Sequence, residues 1–144
     1  MEPYQALFEE DQAAGGYVVT FPDFGYGVTQ GESGAEAMEM ARDLLLLTIG
    51  DYMRAGRPLP AAARRRGGKY RPVALTILQS AKVDLYTAFL ASGWKKAEFA
   101  RRVGIPRTHV ERLFSLRHRS RLEQIEAAFA AMGKTLRLEV MSAA

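Results

Sequence analysis

Cysteine does not occur among the 144 residues, so disulfide staples and thiolate metal sites are excluded. Histidine occurs twice, at His109 and His118, too isolated for a histidine metal site or a catalytic nucleophile pair. Long apolar runs are missing as well. The longest block, Leu44 to Leu47, lies among Arg42, Asp43 and Asp51 and is far short of a bilayer crossing. The opening MEPYQALFEED is acidic and lacks the basic flank and apolar stretch of a secretory signal. These absences predict a soluble cytoplasmic protein with no membrane association, no cofactor and no metal. Acidic residues are also scarce after position 60, with 6 Asp+Glu against 17 Lys+Arg, whereas residues 1–60 hold 10 and 3. A sequence pI near 9.6 therefore conceals an acidic half and a basic half. At 48% hydrophobic, a chain of this length suits two small modules, with oligomerisation as reinforcement.

The basic half carries the most informative pattern. Lys95 to Val103 reads as a helix with Phe99 and Val103 on one face and the small Ala100 where a second helix crosses closely. Gly104 stops it, because a residue without Cβ takes the left-handed conformation common just past a helix end. Ile105 plugs the turn, and Pro106 suits the first turn of a second helix from about Arg107 to Phe114. Val110, Leu113 and Phe114 point inward, leaving Arg107, Thr108, His109, Glu111 and Arg112 outside. This is the spacing of a helix-turn-helix, and a basic setting is the electrostatic footprint of DNA binding. Arg107 and Arg112 are the first candidates for base or phosphate contact, followed by Thr108 and His109. Arg117, Arg119 and Arg121 flank the second helix and suit the DNA backbone; plain surface solvation explains each arginine singly about as well.

The acidic half alternates differently. Tyr4 to Glu9 and Tyr17 to Phe21 read as a hairpin, Val28 to Gln30 as a third short strand, and Tyr70 to Leu75 as a fourth, placed at an edge by Pro72. Between them, Ser33 and Glu36 have capping-box spacing and open a helix to about Ala55. Its apolar positions, Ala37, Met38, Ala41, Leu44, Leu45, Thr48, Ile49 and Tyr52, must lie on the strands. Arg64-Arg65-Arg66 reads as a solvated connector. The fold expected is α+β: a β-β-β-α-β module over residues 1–75, then an all-α module over 76–144. A second capping box is expected at Ser120 and Glu123, opening a last helix with Leu122, Ile125, Ala128, Phe129 and Met132 inward.

The tail departs from the helical pattern. Leu136, Leu138 and Val140 alternate with Thr135, Arg137 and Glu139, the period of a half-buried strand. A lone strand needs a partner. Either it pairs with the same strand of a second chain, giving a two-fold dimer suited to a palindromic operator, or it adds to the first module's sheet.

Three segments together resemble the HicB family of antitoxins. They are Gly16 to Phe24 followed by Val28 to Gly31 and an acidic helix; Lys96 to Gly104; and Arg117 to Ala128 closing with Met132 to Leu136. The resemblance covers nearly the whole chain. It implies a partial RNase H-like fold for the first module, a HicA-type RNA-cleaving toxin as its partner, and repression of the protein's own operon by the second. It also places toxin contact on the loop carrying Asp23, Phe24 and Tyr26. Family members continue Pro-Asp with an apolar residue and Pro-Gly; here Phe24-Gly25-Tyr26-Gly27 stands instead.

Two other readings compete. One keeps the repressor but makes the first module a small-molecule sensor. The other is a metal-dependent nuclease, which would need carboxylates converging on Mg²⁺. Asp23, Glu9, Glu10, Asp11, Glu32, Glu36 and Glu39 are the acids available, and solvated surface accounts for them better, so no catalytic residue is assigned.

Overall fold

The computed structural model describes residues 1–143 and divides into two units, Met1–Ile77 and the chain from Leu78 onward. The first unit is a four-stranded antiparallel sheet with one long helix. Its elements are β1 (Tyr4–Glu10), β2 (Tyr17–Thr20), β3 (Val28–Gly31), α1 (Gly34–Arg54) and β4 (Tyr70–Val73). Strand order is β3-β2-β1-β4, with Phe8 opposite Val19, Val19 opposite Thr29 and Tyr4 opposite Val73. Pro72 sits in β4, an edge strand, where a missing N–H costs no ladder bond on the open side.

Alternation along β1 buries Tyr4, Ala6 and Phe8, joined by Val19 and Val73. Against them α1 lays Ala37, Ala41, Leu45, Thr48, Ile49, Tyr52 and Met53. Met38 and Leu44 are half-buried, at the margins of that face. Ser33 caps the helix by accepting from Glu36 N at 3.1 Å, and the Glu36 carboxylate reaches back to Glu32 N at 2.7 Å. Gly31 lets the helix approach so closely: a Cβ there would run into the Ala37 backbone.

The Arg-rich connector is largely exposed, as its charge suggests, but Arg65 departs from that. Arg65 is half-buried, pairs with Asp23 and lies over the Tyr70 ring, while Arg64 and Arg66 stay exposed. The Tyr4 hydroxyl donates to Pro60 O at 2.7 Å, so residues 57–69 form a strap tied down at several points.

In the second unit, α2 (Ile77–Ser92), α3 (Lys96–Val103), α4 (Arg107–Leu113) and α5 (Leu122–Ala131) surround an aromatic core. Phe89, Phe99 and Phe114 pack mutually with ring centres 5.1–5.4 Å apart, and Tyr86 meets Phe114 edge-on at 5.8 Å. Gly104 takes φ 80°, and its N–H returns to Ala100 O to close α3. Pro106 occupies the N-cap position of α4 itself and offers no side-chain cap.

One expectation for this unit is corrected, and another is not met within a single chain. Arg121, not Ser120, caps α5, with Gln124 Oε1 accepting from Arg121 N at 3.1 Å. Ser120 is buried, its hydroxyl directed to the Arg112 carbonyl at 3.5 Å and the His118 ring at 3.3 Å. Leu122, expected inward, is exposed at the first position of α5. Residues 134–143 form no strand, and the four-stranded sheet does not take them in. Leu138 and Val140 are exposed, Val140 at 90%, and Leu136 is half-buried. Alternation sets the faces of a strand, but a ladder also needs a neighbouring edge, which this helical unit does not offer.

Candidate functional site

The second unit gathers its cations around α4. Arg107, Thr108 and Arg112 are exposed on the helix, and Arg117, Arg119 and Arg121 are exposed on the bend that follows. Among the described residues, Arg112, Arg117, Arg119 and Arg121 have no carboxylate within 4.0 Å. Arg107 differs. Its Nη1 lies 3.5 Å from Glu111 Oε1, which Lys96 Nζ from α3 also reaches at 2.7 Å. The Lys96 hydrogen bond holds the Glu111 carboxyl below its ordinary range, so it stays ionised within the basic face. His109 is only partly exposed. It is half-buried and lines a cavity of about 170 Å³ between α3, α4 and α5, together with Val103, Leu113, His118 and Ser120.

Beneath this face lies a residue that the hydrophobic pattern passes over. Lys82 of α2 is fully buried, and its ammonium donates to Arg112 O at 2.9 Å, Ser115 O at 2.7 Å and His118 O at 2.6 Å. Three N–H groups meet three carbonyls. Burial pulls the pKa down to about 8, which still leaves the ammonium as the main form at neutral pH. The signal was present in the sequence: Lys82 falls in register with Leu85, Tyr86 and Phe89 on the inward stripe of α2.

In the first unit the loop after β2 uses its residues unevenly. Asp23 accepts from Arg65 Nη2 at 2.9 Å and from Ala63 N at 3.2 Å, with only 6% of its side chain exposed. Phe24 is buried, 4.7 Å from the Tyr4 ring and 5.5 Å from that of Tyr52. Tyr26 alone of the three presents a surface: 47% exposed, it stacks on Tyr52 at 6.3 Å and 7°. Met40 and Leu47 are exposed on α1, and Leu44 lies against Gly27. Val28 is exposed on the other face of the sheet, since Thr29 and Gly31 take the helix side. Glu32, Glu36, Glu39, Asp43 and Asp51 supply acids in the same stretch of sequence.

A nuclease would need Asp23 free to join other carboxylates, and its oxygens are already occupied by Arg65 and Ala63. Among the described residues no three His, Asp or Glu side chains are grouped to hold a metal ion. None of the described helices is long and apolar enough to cross a membrane.

Comparison with known proteins gives the class of this two-unit chain: an antitoxin of a bacterial toxin–antitoxin system. Residues 3–84 match the HicB-like family model, described as HicB_like antitoxin of bacterial toxin-antitoxin system. The chain is 39% identical to Antitoxin HicB of Escherichia coli (strain K12), covering 86% of this chain and 89% of that relative. It is 35% identical to Antitoxin HicB 1 of Photorhabdus laumondii, covering 88% and 79%. A solved toxin–antitoxin complex from Streptococcus pneumoniae is 38% identical over 42% of this chain and 44% of that one, with a TM-score of 0.40. The chain therefore belongs to the HicB-like antitoxin family. Its relatives carry the name of antitoxins rather than of enzymes.

Proposed function

We propose that this antitoxin neutralises a HicA-type, mRNA-cleaving toxin through its first unit and represses its own operon by binding promoter DNA through the second. The observation that carries the DNA half is the set of exposed arginines at 112, 117, 119 and 121 without carboxylate partners among the described residues, in the half of the chain where cations outnumber acids. On this reading α3 and α4 are a helix-turn-helix, and α4 enters the major groove. Arg112 contacts base edges or phosphate, and Arg117, Arg119 and Arg121 set the register on the backbone. Two copies joined through Leu136, Leu138 and Val140 would present two such helices to a palindromic operator, and pairing would cover the exposed tail.

The toxin half rests on the exposed Tyr26 ring, in the stretch before residue 60 where acids outnumber cations. An RNA-cleaving toxin needs a basic surface for its substrate, so complementary charge speeds encounter while the Tyr26 ring is buried. Asp23 and Phe24 act from beneath by holding the loop, which leaves Tyr26 as the contact. We read the first unit as a partial RNase H-like fold working as a binding module in the cytoplasm.

Co-expression with the toxin encoded beside it, followed by promoter binding of the purified protein, tests both halves. Arg112→Ala should lower promoter affinity and leave toxin capture intact. Tyr26→Ala should do the reverse. Loss of both activities in either variant would defeat the assignment to separable units.

A further inference from the structure

We propose that Lys82 is the positioning residue of the DNA-reading face: its ammonium fixes the end of α4 and the 115–120 bend as one piece. In this way it sets where Arg112, Arg117 and Arg119 meet the phosphates. The inference rests on the DNA reading above and names what holds that surface in shape.

The helix α4 has 7 residues, too few to hold its own geometry. Its last carbonyls have no partner within the helix, and they carry the negative end of its dipole. A buried cation beneath that end answers both needs. The bend beyond α4 is thinly bonded: Ser115 N reaches Arg112 O at 3.3 Å, His118 N reaches Ser115 O at 3.3 Å, and Ser120 N reaches His118 O at 3.1 Å. Each of those three carbonyls also accepts from Lys82 at 2.9 Å or less. The Lys82 contacts are the shorter ones, and they come from α2, an element outside the bend.

Packing alone does not call for lysine here. Leu85, Tyr86 and Phe89 share its face of α2, and a methionine would fill similar volume at less desolvation cost. What methionine lacks is a donor for three carbonyls set at three points along the chain. One of the carbonyls so held belongs to Arg112 itself, and Arg117 and Arg119 flank His118 directly. Phosphate contacts fix the register of a protein on DNA, so displacement of this bend changes affinity without any DNA contact from Lys82 itself.

The test is the salt dependence of promoter binding by the full chain and by Lys82→Met. Each phosphate contact contributes about 0.9 to the slope of log affinity against log salt. If two arginine contacts are lost, the slope should fall by about 2, and affinity near physiological salt should drop roughly tenfold or more. Toxin capture should be unchanged. A loss of active protein alone would lower the bound fraction and leave the slope where it was, so a folded Lys82→Met with the wild-type slope overturns the proposal. Should the variant not fold, hydrogen exchange of the wild-type chain decides. The His118 and Ser120 amides should be protected about as well as Leu85 and Phe89 in α2, and exchange at open-loop rates would refute a fixed bend. Wild-type protein that binds no promoter DNA overturns the DNA reading itself, a result distinct from either outcome.

Discussion

Arg65 and Asp23, 42 residues apart in sequence, meet at 2.9 Å with the carboxylate almost wholly covered. This pair explains how a loop with glycine at 25 and 27 is held. Asp23 anchors its start to the strap, Phe24 enters the core, and the Tyr26 ring rests on Tyr52. Rigidity absent from the backbone is supplied by side chains on three other segments.

Asp23→Ala should therefore destabilise the first unit by about 2–3 kcal/mol, because it removes one partner of a largely desolvated pair and leaves the Arg65 guanidinium uncompensated. Urea unfolding followed by tyrosine fluorescence measures this. Toxin capture should fall only as far as the folded fraction does.

Gly31→Ala should be costlier than a surface glycine replacement, by roughly 3 kcal/mol, since its Cβ has no place except the Ala37 backbone and α1 would have to move off the sheet. Gly68→Ala, where nothing lies within 4 Å, serves as the control. Equal midpoints for the two in a thermal melt would contradict the close approach.

Tyr4 gives a pH signature. Burial first, then the nearby Asp23 charge, pushes its phenol up from 10.0 to about 12. The folded state thus favours the protonated form that donates to Pro60 O, a contribution fully present below pH 10 and lost as pH rises from 10 to about 12. The slope reaches about 1.4 kcal/mol per pH unit for one such group. Tyr4→Phe should be less stable at pH 8 and should approach the wild type near pH 12. Stability curves that stay parallel across that window would refute the assignment.

Most of this architecture was legible in periodicity. The alternation of Tyr4, Ala6 and Phe8, the Ser33 cap and the Gly104 stop each act through neighbours in sequence, and the structure places them as their chemistry requires. What escaped was long-range or depended on one residue of phase. Asp23 and Arg65 look like two solvated charges until the strap brings them together. Ser120 and Arg121 compete for a single cap, and spacing alone does not show that the Ser120 hydroxyl turns inward. Lys82 was hidden by the rule that lysine belongs outside, although its position in the stripe contradicted that rule. The tail alternates as a strand, but the partner that a strand needs is not something one chain's sequence contains.

Glu111 is the acid set among the cations of the proposed DNA-binding face, and its removal separates two views of that face. Its carboxylate sits between Lys96 and Arg107, whose charges it offsets, and it would face the phosphates at like charge. Glu111→Gln removes the repulsion and releases both cations for DNA, so promoter affinity should rise severalfold and the salt slope should steepen by about 1–2. Mild acid should not imitate the substitution, because the Lys96 hydrogen bond keeps this carboxyl ionised below its ordinary 4.5. If Glu111 served instead to hold Arg107 in a base-reading pose, the variant would bind random DNA more tightly and its own promoter no better. Parallel titrations with the two duplexes distinguish these outcomes. Glu111 and Arg107 are exposed and Lys96 is only half-buried, and such pairs contribute little to fold or pose in water, so the gain in charge toward DNA should dominate.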